Sequence, residues 1–279
     1  MTRLKSNDIS AIASQLTAYD QELLLKTGHN LRQIACHAVQ LKEEDALGAM
    51  SGIKVAVVPI TWGQGVIEGF CQATAGILKH LGFSVLVTGQ SDIAGLTEAY
   101  AARADVVFLS DDNDFVALNA ATRQHVHNSH ATGLGFAAGL ALLANGLVDR
   151  KVLVLGCGAV GRSAVSALLK LGATVSAYDI NPANCGKFKS CLAGPDSARL
   201  TVATEFQAAL AGHTLIVDAT NAAGIMGAGD IAPGSYIAAP GMPLGLSREA
   251  LNKVSDRLLH DPLQIGVATM GMAVVKQLI

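Results

Sequence analysis

Apolar positions along the chain change their spacing at about residue 54. Before that residue, apolar side chains recur at helical intervals between Ile9 and Leu24, which predicts a first helix. N-cap candidates at Ser6–Asp8 precede this helix, and Gly28 is placed to end it. A second helix is predicted over about 31–41. These helices predict a helical cap on the domain that follows, and neither indicates chemistry by itself.

From Lys54 onward, short β-branched runs alternate with helical patterns. Predicted strands lie at 54–60, 83–87 and 104–110 in a first array, and at 151–156, 174–179, 214–220, 235–240 and 256–261 in a second. Strands separated by helices at this spacing pair in parallel and are joined by right-handed crossovers. The predicted fold class is therefore α/β, with two units and a cleft between them at which the strand ends meet.

The predicted division of the chain follows the same pattern. Residues 1–130 form an N-terminal α/β domain with a helical start, 131–146 a connecting helix, 147–262 a second α/β domain, and 263–279 a helix that packs back across the junction. The stretch 131–148 is apolar enough to span a bilayer, but Gly-rich apolar helices are also common in protein cores. Because it leads straight into a strand, a buried helix is the favoured interpretation.

A Gly-rich motif follows the first strand of the second array, where Gly156, Gly158 and Gly161 complete the pattern G-x-G-x-x-G. The first glycine permits a tight turn, the second lets the backbone approach a pyrophosphate, and the third lets the next helix lie close to the strand. Free N–H groups around Ala159 and Val160, at the start of that helix, would face the phosphates. The second unit is therefore predicted to be a Rossmann-type NAD domain.

Asp179 ends the next predicted strand, 18 residues beyond Gly161. A carboxylate at this place accepts hydrogen bonds from the ribose hydroxyls and repels a 2′-phosphate, and no Arg or Lys follows in 180–182, so NAD is predicted rather than NADP. The alternative is a Gly-rich turn that binds nothing. Cys157 lies inside the motif and could act as a nucleophile at a helix start, but a packing role is favoured.

Ligands of parallel sheets bind beyond the carboxyl ends of the strands. In the second unit this rule selects Thr220, Pro240 and Pro243, which are expected near the nicotinamide. In the first unit it selects the loop 61–65 and the cluster 110–113. The acidic side chains of that cluster could hold a cationic amine, or could be the N-cap of a helix, and the pattern alone does not decide between them.

Composition narrows the partners. A formal net charge of -2 gives no electrostatic footprint for nucleic acid or an anionic membrane, and 51% hydrophobic residues argue against disorder. The five cysteines form no C-x-x-C pair and no secretory leader is evident at 1–10, which predicts a reducing, cytoplasmic location. A metal site at His125, His127 and His130 is not favoured, because offsets of two and five do not place them on one helix face.

Several longer motifs are more specific than the Gly-rich turn. They are VVPITWGQG at 57–65, LSDDNDF at 109–115, DAT at 218–220, APGMP at 239–243 and DPLQIGVATM at 261–270. In this order they resemble the pyrrolysine synthase family, PylD, over nearly the whole chain. The resemblance implies NAD-dependent oxidation of the terminal amine of L-lysine-Nε-(3-methyl-D-ornithine) to an imine or semialdehyde, followed by closure of the pyrroline ring.

The resemblance also implies site residues. Asp111 would hold the substrate amine and accept its proton, and the loop 61–65 would close over the substrate. The substrate-binding residues implied are Leu4, Trp62, Gly63, Ser110 and Asn128. Trp62 departs from the family pattern, a small residue followed by Gly-Asn-Gly, and changes the expected pocket volume.

The sequence is also compatible with two other functions. The protein could be another two-domain NAD-dependent amino-acid or hydroxy-acid dehydrogenase, or a non-catalytic NAD-binding module. No metal is expected, and a homodimer is left open.

Overall fold

The protein is described by a computed structural model that covers residues 4–279. Its contacts divide the chain into two compact units. Unit 1 contains the described residues up to Leu25, together with His29–Ala131 and Pro262–Ile279, and unit 2 contains Lys26–Gly28 and Thr132–Asp261. The C-terminal segment therefore belongs to unit 1, although it follows unit 2 in the sequence.

The helices and strands alternate as follows. The helices are α1 Ser6–Ile9, α2 Ile12–Thr27, α3 Leu31–Val39, α4 Glu43–Met50, α5 Phe70–Leu81, α6 Asp92–Ala101, α7 Asn128–Leu143, α8 Ala159–Lys170, α9 Pro182–Ser190, α10 Gly194–Ala198, α11 Phe206–Ala211, α12 Arg248–Val254 and α13 Gln264–Leu278. The strands are β1 Lys54–Pro59, β2 Ser84–Val87, β3 Val106–Ser110, β4 Phe115–Asn119, β5 Gln124–His127, β6 Lys151–Leu155, β7 Thr174–Tyr178, β8 Leu200–Val202, β9 Leu215–Asp218, β10 Tyr236–Ala239 and β11 Leu258–His260.

Unit 1 is built on a mixed sheet with the strand order β2-β1-β3-β4-β5. Strands β2, β1 and β3 are parallel, as the sequence predicted, but β4 and β5 are antiparallel, and the expectation of a purely parallel sheet was wrong there. The chain reverses directly after β3, so the cluster 111–114 forms a hairpin turn. The helix N-cap considered for this cluster is thereby excluded.

Unit 2 has six parallel strands in the order β11-β10-β9-β6-β7-β8. The strand order reverses between β6 and β9, and such a switch point is where open α/β sheets bind ligands, beyond the carboxyl ends of the strands. The sequence did not predict α9, α10, α11 or β8, which lie in the more polar stretch between β7 and β9. The Rossmann-type prediction for this unit is confirmed.

Several helix boundaries differ from the sequence prediction for local reasons. Helix α5 begins at Phe70, because Gly69 takes a left-handed conformation with φ 83° as its N-cap. Helix α7 begins at Asn128 and ends at Leu143, just ahead of Asn145 and Gly146, whose positive φ angles cannot continue a helix.

The described residues contain no helix that is long and apolar enough to cross a membrane. Most of the side chains from Ala131 to Leu143 are instead buried within the protein.

The C-terminal helix α13 is among the most buried elements and packs on α3 and α5 within unit 1. A Cβ at Gly271 would lie 3.1 Å from Phe83 and 3.2 Å from Leu78, so glycine permits the close approach of the helix. The sequence predicted an apolar C-terminal helix, and the burial of nearly all its side chains explains why its apolar residues show no amphipathic stripe.

Candidate active site

A small pocket opens at the carboxyl ends of β1 and β3 in unit 1, the switch point of that sheet. Its inner wall is apolar and includes Val58, Ile60 and Phe115, and its mouth is lined by Ser110, Asp111 and Asp112. The cavity measures about 30 Å³, close to the share of one water molecule in liquid. It therefore fits a group of the size of an amine or ammonium, with an acidic rim and an aliphatic or aromatic floor.

Aromatic rings stiffen the floor of this pocket. Phe70 meets Phe115 edge to face with ring centroids 5.2 Å apart, and Phe108 meets Phe115 in the same manner at 6.2 Å. Such pairs add packing energy beyond the area they bury. Since Phe70 begins α5 and the other two lie on β3 and β4, three elements converge beneath the acidic mouth.

Asp111 is exposed at the first position of the hairpin turn. Its Oδ1 accepts hydrogen bonds from the backbone N–H groups of Asn113 and Asp114, both at 2.8 Å, which explains the tight reversal of the chain. None of residues 4–279 donates a hydrogen bond to its Oδ2. The turn thus fixes the carboxylate through Oδ1 and leaves Oδ2 without a hydrogen-bond donor among the described residues.

Asp112 has a different task, because its side chain holds the loop 61–65. Its Oδ2 accepts a hydrogen bond from the backbone N–H of Gln64 at 2.6 Å. A Cβ at Gly63 would overlap the same carboxylate, so the glycine with φ 81° is required for this approach. The loop is therefore fastened to the hairpin turn beside Asp111.

The other end of the loop is fastened by Asp92, at the start of α6. Its carboxylate accepts hydrogen bonds from the backbone N–H of Thr61 at 2.8 Å and from the hydroxyl of Thr61 at 2.5 Å. These bonds hold the pKa of Asp92 below its usual value. Between the two anchors, Trp62 is 60% exposed.

The remaining substrate residues predicted for unit 1 are partly brought together. Ser110 lines the pocket mouth with Asp111. Asn128 is buried at the start of α7, and its Nδ2 lies 3.4 Å from the sulfur of Met270 on α13, so it does not line this pocket. Leu4 is half-buried ahead of α1 and is also absent from the pocket wall.

The Gly-rich turn of unit 2 has the shape that a pyrophosphate needs. Gly156 has φ 87°, and a Cβ at Gly161 would overlap the carbonyl of Gly156, so helix and turn are in close contact. A Cβ at Gly158 would meet no atom within 4 Å, which marks open space above the turn. Helix α8 begins at Ala159 with no side chain capping it, so its first N–H groups are available to an anion. These residues fit a dinucleotide.

Asp179 follows β7 and points back to the Gly-rich turn. Its Oδ2 accepts a hydrogen bond from the backbone N–H of Cys157 at 2.7 Å, and its Oδ1 accepts bonds from the backbone N–H of Asn181 at 2.9 Å and from Nδ2 of Asn184 at 3.1 Å. The carboxylate thus lies between the turn and α9, where a ribose on the turn would meet it. It also has a structural role that the sequence did not predict.

Cys157 was expected to pack rather than to act as a nucleophile, and it is buried, but it also forms a bond that the sequence did not predict. It is fully buried and forms a disulfide with Cys185 of α9, with Cα atoms 5.6 Å apart. The two cysteines are separated by 28 residues, so no local spacing signals the bond. Cys36, Cys71 and Cys191 are free.

Asp218 is a functional candidate that sequence reasoning did not single out. It ends β9 and is fully buried, and burial raises the pKa of its carboxyl. Its Oδ1 accepts bonds from the backbone N–H and hydroxyl of Thr220, at 3.1 and 2.7 Å, while its Oδ2 has no partner that meets hydrogen-bond geometry within the described chain. The sequence signal that could have identified Asp218 is an acidic residue at the end of the otherwise apolar strand β9.

The loop after β10 packs onto the same carboxyl group. The N–H of Gly241 donates to the carbonyl of Asp218 at 3.0 Å, and a Cβ at Gly245 would overlap the Asp218 carboxyl. Pro240 is half-buried and Pro243, which follows a cis peptide bond, is exposed. Thr220 and this loop thus lie together at the carboxyl edge of the sheet, beside the Gly-rich turn, whose Gly156 packs against Ala219.

The histidine cluster is dispersed by the fold. His125 and His127 lie on β5 with ring centroids 4.9 Å apart, and Nδ1 of His127 lies 3.3 Å from the Asp114 carboxylate. Across residues 4–279, no three His, Cys, Asp or Glu side chains come together in an arrangement that could hold a metal ion.

Comparison with known proteins follows this division of the chain. Residues 8–126 match the family described as "Pyrrolysine biosynthesis protein PylD, N-terminal domain", and residues 120–228 match "Alanine dehydrogenase/PNT, C-terminal domain". Pyrrolysine synthase of Methanosarcina acetivorans is 29% identical over 97% of this chain and 98% of its own, and that of Methanosarcina barkeri is 28% identical over 99% and 98%. This chain is similar to the pyrrolysine synthases over almost its full length. The similarity includes both units, not only the common nucleotide-binding fold.

Solved structures agree on the architecture. The structure of shikimate dehydrogenase from Aquifex aeolicus aligns with a TM-score of 0.54 at 16% identity, over 81% of this chain and 92% of that one. Quinate dehydrogenase from Corynebacterium glutamicum, in complex with NAD, aligns with a TM-score of 0.55 at 13% identity, over 80% and 93%. At these identities the alignments show the fold alone.

Proposed function

We propose that this protein is an NAD-dependent pyrrolysine synthase. Its substrate is L-lysine-Nε-(3-methyl-D-ornithine), whose terminal amine is oxidised to an imine or semialdehyde before the pyrroline ring closes. The observation that carries the proposal is the similarity to pyrrolysine synthases over both units and almost the full length of each chain. The pocket and the Gly-rich turn supply the two sites that this reaction needs.

The pocket of unit 1 suits the end of the substrate that reacts. Its volume of about 30 Å³ would admit a primary amine, and Val58, Ile60 and Phe115 line the wall that would meet the aliphatic carbons next to it. Asp111 at the mouth offers Oδ2 to the ammonium ion. An ammonium must lose a proton before its carbon can give up a hydride, because the developing positive charge is otherwise too costly, and Asp111 is the base within reach.

Unit 2 holds the oxidant in this proposal. The N–H groups around Ala159 would bind the pyrophosphate of NAD, and Asp179, which lies beside the turn, would accept hydrogen bonds from the adenosine ribose. A 2′-phosphate would meet the negative charge of Asp179, which favours NAD over NADP. Thr220 and the loop from Pro240 to Pro243 would border the nicotinamide. When bound, the cofactor supplies hydride acceptance, and the protein supplies orientation.

The steps balance without a further reagent. The carbon that bears the terminal amine gives a hydride to NAD, and the nitrogen gives a proton to Asp111, so that a C=N bond forms. The remaining α-amine adds to this carbon within the same molecule and ammonia leaves, which closes the pyrroline ring. Because the attack is intramolecular, a shaped and dry pocket is sufficient to promote it through proximity.

The proposal is tested by incubating the protein with NAD and a panel of substrates while NADH absorbance is followed. We expect NADH with the lysine–methylornithine amide, and none with free lysine, D-ornithine, shikimate or quinate. Turnover of shikimate or quinate alone would replace the proposal with a dehydrogenase of the structural neighbours' kind. Binding of NAD without turnover of any substrate would favour the non-catalytic module.

A further inference from the structure

The disulfide between Cys157 and Cys185 lies at the proposed cofactor site. Cys157 is the second residue of the Gly-rich turn, and Cys185 lies in the first turns of α9. Their side chains are 0% and 1% exposed, and the bond joins the two segments that enclose Asp179. No other covalent link connects the turn to α9 among residues 4–279.

Both joined segments hydrogen-bond to Asp179. The backbone N–H of Cys157 donates to its Oδ2, and Asn184, the neighbour of Cys185, donates to its Oδ1. The carboxylate that is proposed to hold the ribose is therefore held from two sides by segments that one S–S bond ties together. A change at the bond acts directly on the position of this carboxylate.

Two free thiols need more room than one disulfide, because bonded sulfur atoms lie far closer than van der Waals contact allows. Protein interiors are close-packed, and both sulfur atoms are buried, so the additional volume must come from a shift of the turn or of α9. A shift of either segment separates the donors of Asp179. The reduced state is expected to have a looser ribose site than the oxidised state.

We propose that Cys157 and Cys185 form a reversible redox-modification site that controls dinucleotide affinity. In the oxidation, both thiols lose their protons and two electrons pass to a small-molecule disulfide such as oxidised glutathione. The S–S bond forms between the two cysteines, and two glutathione thiols are released. A dithiol reverses the reaction. The inference rests on the proposed cofactor function of the turn and adds a control to it.

The other cysteines do not take part in this exchange. Burial raises the pKa of the Cys36 and Cys71 thiols to about 11, and neither of these cysteines forms a disulfide. Cys191 is exposed at the end of α9, and its thiol donates to the carbonyl of Lys187 at 3.3 Å. Cys191 thus serves as a matched control, since it lies near the pair and belongs to no site described above.

The experiment compares NADH binding to the full chain after treatment with oxidised glutathione and after treatment with dithiothreitol. Titration followed by NADH fluorescence should give at least about fivefold weaker binding after reduction, the lower end of typical coupling between two sites. The Cys185→Ser variant should show the weaker affinity under both treatments, and Cys191→Ser should behave as the wild type. If the Cys185 variant does not fold, the comparison of NADH affinity between the oxidised and the reduced wild-type protein is still a complete test.

Linkage supplies a second measurement. Because coupling is reciprocal, saturating NADH should make the pair harder to reduce by the same factor, about 20 mV for a fivefold effect. Equal NADH affinity in both states overturns the inference and leaves the proposed cofactor intact. Alkylation that finds Cys157 and Cys185 free in the glutathione-treated protein overturns it too. Absence of NADH binding in both states overturns the proposed cofactor, and the inference with it.

Discussion

At the scale of single residues, two neighbouring carboxylates on one turn do different work. Asp111 closes the hairpin with its Oδ1 and keeps Oδ2 for a ligand, while Asp112 holds the loop 61–65 through the N–H of Gln64. Both lie at the pocket mouth, so charge alone would not separate them. Their hydrogen bonds differ, and we propose proton acceptance for Asp111 and positioning of the loop for Asp112.

Replacing Asp111 by Asn tests the first assignment. The amide keeps an acceptor for Asn113 and Asp114 but loses basicity, so kcat for the amide substrate should fall by roughly 10²-fold or more. Binding of NADH, measured by fluorescence, should not change. Asp114→Asn is the matched control, since Asp114 belongs to the same turn but faces His127. Full activity of the Asp111 variant would exclude this carboxylate as the base.

Replacing Asp112 by Ala tests the second assignment. Loss of the bond to Gln64 should free the loop and raise KM by roughly fivefold, equivalent to about 1 kcal/mol, with a smaller change in kcat. Asn113→Ala, which removes an exposed amide from the same turn, should leave both parameters unchanged. A drop in kcat as large as that of the Asp111 variant, with KM unaltered, would show that the wrong carboxylate was assigned to the chemistry.

The buried carboxyl of Asp218 predicts a pH effect on stability. Its pKa is raised in the folded state, so the folded protein holds a proton that the unfolded chain releases above about pH 4. The free energy of unfolding should therefore fall as pH rises through the raised pKa. In denaturant melts, the free energy of unfolding of Asp218→Asn should lack this pH dependence. The stability of the variant relative to the wild type should therefore increase as pH rises.

A second substitution separates this effect from packing. Asp218→Ala also loses both bonds to Thr220 and should be less stable at every pH, by about 1–3 kcal/mol. Identical pH profiles for the wild type and the Asn variant would mean that Asp218 is ionised in the folded protein.

At the scale of elements, the sequence predicted those parts that have a local signal. The strands β1, β6 and β7, the Gly-rich turn and the start of α8 follow from β-branched runs and glycine positions. The antiparallel strands β4 and β5 were missed, because the polar turn 111–114 that joins β3 to β4 carries the same residue types as a helix N-cap. The residue types at this position are compatible with both a hairpin turn and a helix N-cap, and only the tertiary fold decides between them.

Long-range pairs in the sites could not be predicted from one sequence. The bond from Gln64 to Asp112 spans 48 residues, that from Thr61 to Asp92 spans 31, and the cysteines of the disulfide are 28 apart. Each depends on which loops the sheet brings together, and no local periodicity encodes this. Asp179 was predicted as a ribose ligand, but its role in joining the turn to α9 required the coordinates.

The cofactor prediction belongs to the β7–α9 connection. Asp179→Ala removes a carboxylate that would bind the ribose, so NAD affinity should fall by roughly 10- to 100-fold, equivalent to about 1.5–3 kcal/mol, and discrimination against NADP should weaken. Asn184→Ala is the control, because it removes one donor to Asp179 and keeps the charge. Equal affinities for NAD and NADP in the wild type would contradict the assigned preference.

At the scale of the whole molecule, the chain forms two compact units whose order along the sequence is interleaved. Helix α13 returns to unit 1 after unit 2 is complete, so neither unit is a continuous segment. The similarity to pyrrolysine synthases extends through both units. The central claim is that one hydride passes from the carbon bearing the terminal amine to NAD.

The most direct test uses the amide substrate with two deuterium atoms on that carbon. After incubation with the protein and NAD, mass spectrometry should find one deuterium in the reduced cofactor and one in the pyrroline ring of pyrrolysine. The amount of reduced cofactor should equal that of the ring product. Reduced cofactor without deuterium, or a deuterated amide that stays unchanged while the protein binds NAD, would contradict the account.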